Sequence, residues 1–158
     1  MMYENLIQDF AKRTLANLDL MRSLAQQHPE VQLYETTQLI NSMLGLLIFP
    51  QQSLLAKVPE VPLADLERAG WPVPRVTGKF EQVKDLKALI RYLRNAISHC
   101  NVKFKADKNE QIVGLVVWNK DTRRSKCQTT WKAELSLEDI EKITRKFIEL
   151  ILTSEHSN

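Results

Sequence analysis

Glycine is scarce, with four in 158 residues. A many-turned β fold needs more, so helices are expected to dominate. Cysteine is scarcer still. Cys100 and Cys127 lie far apart, which fits neither a disulfide framework nor a zinc cluster of ligand spacing. Aromatic residues make up 7% of the chain, so aliphatic side chains must fill the core. The longest apolar run, Met43 to Phe49, is too short to span a bilayer. Residues 1–9 carry early acids and no basic stretch leading into an apolar run, so no signal peptide is expected. There is no glycine-rich phosphate loop, which excludes a P-loop NTPase. No Ser-centred elbow or Cys–His signature is visible. Charge of neither sign predominates: net +3 and pI near 8.9 admit an anionic partner without demanding one. These absences describe a soluble cytoplasmic domain with free thiols, no metal and no cofactor.

One stretch organises what is present. From Lys79 to Asn101 the sequence predicts a single long helix. Val83, Leu86, Ile90, Leu93 and Ile97 recur at steps of three and four, the stripe of a helix packed on a core. Lys84, Lys87, Arg91, Arg94, Asn95, Ser98 and His99 form a polar sector beside it. The first four make a basic ladder. Asn95 and His99 are four apart, as are Arg94 and Ser98, so each pair stacks along the helix. Such a surface suits binding a phosphate and moving a proton.

The flanking chain reads as one domain over 1–153, with 154–158 a flexible tail. Met2–Gln27 is amphipathic, with Leu6, Ile7, Phe10, Leu18, Met21 and Leu24 on its apolar face. Pro29 suits the first turn of a second helix reaching Ile48. Tyr34, Leu39, Ile40, Met43, Leu44, Leu46 and Leu47 make that helix apolar on more than one side, hence central and most buried, with Gly45 admitting a close neighbour. Residues 50–78 are Pro-rich and irregular, with room for short turns between Pro62 and Gly70. This connection either covers one end of the bundle or closes over a site. Residues 111–135 predict a β-hairpin. Gln111–Trp118 and Cys127–Leu135 are its strands. Two strands need support, from the helices or a second subunit. Its tip carries Lys120, Arg123, Arg124 and Lys126, which suit either backbone phosphates or a solvated turn. Ser136 and Asp139 predict a capping box for the last helix. His28 reads as a surface residue, and Glu35 and Asp85 have no partner legible in the sequence.

Arg94-Asn95 followed by His99 resembles the R-x-x-x-x-H motif of the HEPN superfamily, including the polar residue often found after the Arg. The opening of the chain also resembles prokaryotic HEPN nucleases. The resemblance implies a mainly α fold: a HEPN-like antiparallel helical bundle with the β-hairpin inserted before the last helix. It implies a metal-independent endoribonuclease of toxin, phage-defence or RNA-processing systems. Two motif helices would meet across a two-fold axis of a homodimer and form a composite cleft. His99 would be general acid or base and Arg94 the transition-state stabiliser. Asn95 would support them, with Ser98 a weaker candidate. Lys84, Lys87, Arg91 and the hairpin cations would hold RNA. Some HEPN toxins carry a Tyr two residues after the His, where a partner enzyme modifies them. Asn101 stands there, so that neutralisation does not carry over, and no antitoxin is named. Two other readings stay open: a non-catalytic RNA- or nucleotide-binding module, and a helical dimerisation or adaptor protein.

Overall fold

The computed structural model of the chain describes residues 6–48, 58–121 and 128–153. Five helices and four strands lie among the described residues. They are α1 (Leu6–Gln27), α2 (Glu35–Ile48), α3 (Leu63–Leu66), β1 (Arg75–Val76), α4 (Leu86–Ser98), β2 (Val102–Ala106), β3 (Ile112–Asp121), β4 (Gln128–Ser136) and α5 (Leu137–Thr153). About 53% of the described chain is helical, beside a four-stranded antiparallel sheet, so the architecture is mixed rather than mainly α.

The sheet order is β1-β4-β3-β2. Sequence patterning locates β3 and β4, and they pair from Gly114↔Ser136 to Asp121↔Gln128. The expected hairpin is therefore the centre of a larger sheet. β2 adds beside β3, with Val102 opposite Val117 and Phe104 opposite Leu115. β1 adds beside β4 from the Pro-rich connection, with Arg75 opposite Glu134. Gly114 is required where β3 and β4 meet, because a Cβ there would lie 2.3 Å from the Leu135 carbonyl oxygen.

One face of the sheet carries Leu115, Val117, Trp131, Ala133 and Leu135, all buried. Helices α4 and α5 pack on it, while α1, α2 and α5 pack against one another and α2 touches α4. The hairpin's support thus comes from helices of its own chain. The core is continuous from Met43 and Leu46 through Leu89 and Leu93 to Trp131 and Phe147. The Phe10 ring of α1 lies over Gly45, Cζ 3.3 Å from where a Cβ would stand. Arg145 ties α5 to α1 through Asp19 at 2.8 Å, and Arg22 reaches back to Glu141. The last helix starts as its capping box requires. Asp139 N–H donates to Ser136 Oγ at 3.1 Å and Ser136 N–H to Asp139 Oδ2 at 2.8 Å.

Three helix expectations need correction. α2 starts at Glu35 rather than Pro29. Residues 28–31 form a turn, and the helix's first bond runs from Gln38 N–H to the Tyr34 carbonyl. Tyr34 is exposed, not on the buried side. The most buried helix is α4, not α2, because α4 lies between the sheet and α2. α4 starts at Leu86, not Lys79. Asp85 adopts extended φ −156°, ψ 172° and caps the helix instead. Val83 is buried from the segment before the helix, so it fits the helical stripe by spacing alone. Residues 1–5, 49–57, 122–127 and 154–158 lie outside the described residues, and so does the expected start of the first helix at Met2. With them lie Cys127, the tip cations Arg123, Arg124 and Lys126, and the expected tail.

Candidate active site

Helix α4 positions the motif, and both its ends are anchored. At the N-terminus Ala88 N–H donates to Asp85 Oδ1 at 2.7 Å. Leu86 N–H donates to the Val61 carbonyl and Leu63 N–H to the Lys84 carbonyl, locking the cap to the segment before α3. The Ala88 hydrogen bond holds the Asp85 carboxyl below its usual range. Burial opposes that shift, and Lys84 reinforces it. Asp85 therefore has a structural partner that its sequence neighbourhood did not reveal.

At the C-terminus the chain leaves the helix through a left-handed residue. Cys100 has φ +54°, where glycine is usual. Cys100 N–H donates to the Ile97 carbonyl at 2.9 Å and Asn101 N–H to the Ala96 carbonyl at 2.8 Å. Those two bonds are a Schellman motif, which satisfies carbonyls left open at the helix end. The Asn101 carbonyl then accepts from Trp118 N–H at 3.1 Å. His99 is thus held between a finished helix end and the sheet.

A cleft of about 380 Å³ opens beside this corner. Tyr92 and Asn95 line it from α4, His99 from the helix C-cap, and Asn101 from the turn. Asn119 and Lys120 come from β3, and Thr130 from β4. Asn119 Nδ2 donates to the Tyr92 carbonyl at 3.1 Å, fastening sheet to helix at the cleft. The Tyr92 ring meets the Trp131 indole edge to face at 5.3 Å between centroids. A bulge aims Thr130. Asn119 pairs with Trp131 but Lys120 with Thr129, so Thr130 is the extra residue and turns toward the cleft.

The structure brings Asn95, His99 and Lys120 together, with His99 and Asn95 exposed and available. Arg94 does not line this cleft. At about 100° per residue it stands about 140° around the helix from His99. It is half-buried, and its Nε finds no hydrogen-bond partner among the described residues. Ser98 is exposed and also off the cleft. The basic ladder is shorter than expected. Lys84 lies outside the helix, 3.3 Å from Asp85, and Lys87 pairs with Glu60 at 3.2 Å. Lys87 is some 18 Å along the axis from His99 at about 1.5 Å per residue. Arg91 is nearer, its guanidinium carbon 5.9 Å from the Tyr92 ring centroid. Among the described residues, none of 58–78 lines the cleft. His28 is exposed beside Glu30, as expected of a surface residue.

Tyr92, Asn101, Asn119 and Thr130 were missed from sequence. Asn119 had a signal: it continues the inward alternation of Leu115 and Val117 with a polar residue. Thr130 had none, since only the bulge turns it. No helix among the described residues is long and apolar enough to cross a membrane. A family model described as HEPN pEK499 p136 matches residues 1–158. No curated protein and no solved structure matches the chain.

Proposed function

Because the chain belongs to this HEPN family, we propose that it is a metal-independent endoribonuclease acting on RNA through His99 and Arg94. The observation that carries the reading is the placement of the motif. His99 and its helical neighbour Asn95 open into a polar cleft that also holds Lys120. In the proposed step His99 takes the proton of a ribose 2′-OH. The 2′-oxygen attacks the adjacent phosphorus, and the bond from phosphorus to the 5′-oxygen breaks. A proton returns to that oxygen as it leaves. The products are a 2′,3′-cyclic phosphate and a 5′-hydroxyl. Asn95 orients the imidazole or the phosphate, and an Arg guanidinium holds the phosphoryl oxygens as charge develops.

Arg94 points elsewhere within its own chain, which supports the composite arrangement. Two α4 helices meeting about a two-fold axis would set Arg94 of one protomer against His99 of the other. The activity belongs to a toxin or phage-defence setting in this reading. One observation favours the second reading, a binding module without turnover. The cleft of a single chain offers amides, a hydroxyl, an imidazole and Lys120, but no Arg.

The deciding experiment is RNA cleavage in EDTA by wild type, Arg94→Ala and His99→Ala. Each variant loses about 10²-fold or more, and wild-type products carry cyclic-phosphate ends. Mixing the two inactive variants rebuilds intact composite sites and restores up to about a quarter of wild-type activity. Equal cleavage by all three proteins would overturn the reading. Binding without cleavage by wild type would select the binding module.

A further inference from the structure

The face of the sheet turned away from the helices is open, and its chemistry is not that of an ordinary solvated face. Strand register fixes which side chains share it. Lys103, Val116, Glu134 and Arg75 form one row across all four strands. Trp118 and Lys132 stand opposite one another in the next row. Side chains directly opposite are about 5 Å apart, so each row is a contiguous surface. Lys103, Lys105, Val116, Trp118, Thr129 and Lys132 line a groove of about 560 Å³ here, larger than the His99 cleft. Arg75, Lys103 and Lys132 are exposed, and Trp118 is half-exposed in their midst. Glu134 interrupts the positive field. Its carboxylate is taken by Lys105 Nζ at 2.7 Å.

We infer that this outer face is a binding surface for single-stranded RNA, with Trp118 stacking on an unpaired base and Arg75, Lys103 and Lys132 holding the flanking phosphates. An aromatic ring among cations on an open sheet offers sequence-tolerant stacking plus backbone attraction. A duplex keeps its base faces stacked inside, so it offers nothing for Trp118. The inference rests on the ribonuclease reading and gives that site its substrate class and approach. Groove and cleft share the same strand ends. Trp118 and Thr129 line the groove, while the adjacent Asn119, Lys120 and Thr130 line the cleft. The β4 bulge sends Thr129 and Thr130 to opposite faces. A strand lying on the groove therefore reaches His99 by rounding the β3–β4 end, where Lys120 stands.

The test is fluorescence anisotropy with a labelled, mixed-sequence 2′-O-methyl RNA. That probe has no free 2′-OH, so it reports binding whether or not the protein is a nuclease. Trp118→Ala is expected to weaken binding about fivefold to a hundredfold, and Trp118→Tyr to restore most of it. The double exchange Lys103→Glu with Lys132→Glu alters only exposed side chains. It should weaken binding at least tenfold and flatten the salt dependence, which in wild type has a slope of about −2 for three phosphate contacts. Lys12→Ala, exposed on α1 and lining neither the groove nor the cleft, should bind as wild type does. Undiminished binding by the lysine double variant would overturn the proposal. So would equal Trp118-dependent binding of a duplex of the same sequence, or binding of phosphatidylserine vesicles in place of the RNA.

Discussion

The two ends of α4 are built on opposite terms. At the N-terminal end every charged group has a local purpose. Asp85 is buried and caps the helix, Lys84 neutralises it, and Lys87 is paired with Glu60. At the C-terminal end the polar groups are exposed or unsatisfied. His99 and Asn95 face a cleft, Arg94 Nε has no partner among the described residues, and Cys100 sits in a left-handed conformation. Both ends looked alike in sequence, since both are basic and polar beside one apolar stripe. The difference teaches that charge on a helix face acquires a role from what stands opposite. Where a carboxylate answers it, the charge stabilises. Where a cleft opens, it is free for a ligand.

The two ends of α4 should part most visibly at His99. His99→Ala should lower RNA cleavage about 10²- to 10⁴-fold while shifting unfolding free energy by less than about 0.5 kcal/mol, because the side chain is exposed. Cleavage kinetics beside urea unfolding would check both halves. Asp85→Ala should do the reverse. It orphans the helix N-terminus at a cost of about 1–2 kcal/mol, read as a lower urea midpoint. Cleavage by the fraction that remains folded stays near wild type.

Asp85 also gives the N-terminal end a pH signature. Its folded pKa lies below the ordinary value of 3.8. Its contribution is therefore fully present above about pH 4–5 and is lost as the pH falls through the folded value. Asp85→Asn should show a shallower loss of stability on acidification than wild type, measured by urea unfolding across about pH 2–6. Equal acid slopes would show that the Ala88 amide does not hold the carboxylate in its charged form. The smallest effect is expected at Cys100. Glycine accepts φ +54° without strain, so Cys100→Gly should gain about 0.5 kcal/mol, whereas Cys100→Val should lose more than that. Thermal unfolding of the two variants reads the difference directly.

Much of the layout was legible because its signals are local. Ser136 and Asp139 are three residues apart and close the capping box among themselves. β3 and β4 announce themselves through β-branched and aromatic residues, and the pairing follows from a short connection. The motif helix was legible in its interior, where Leu86, Ile90, Leu93 and Ile97 do lie in the core. β2 was overlooked although Val102, Phe104 and Ala106 alternate with Lys103 and Lys105, a period-two signal hidden behind a strong helix. β1 was not legible at all. Two residues carry no period, and Arg75–Val76 form a strand only because β4 offers an edge. The helix start was misplaced for a related reason. Val83 keeps helical spacing to Leu86, but Asp85 prefers to accept the Ala88 N–H, and that preference ends the helix.

By itself, then, the sequence determined the helices' apolar faces, the central strand pair, the last cap and the Arg94-Asn95-His99 motif. Each depends on neighbours within a few residues, where backbone geometry relates spacing to direction. Only the tertiary structure decided that the hairpin is half of a four-stranded sheet and that the mixed layers place α4 against it. It alone set Asn119, Lys120 and Thr130 beside His99, turned Arg94 away from that cleft, and left a basic, aromatic sheet face open. Those outcomes rest on strand register, a single bulge and packing between segments distant in the chain. No local period encodes them.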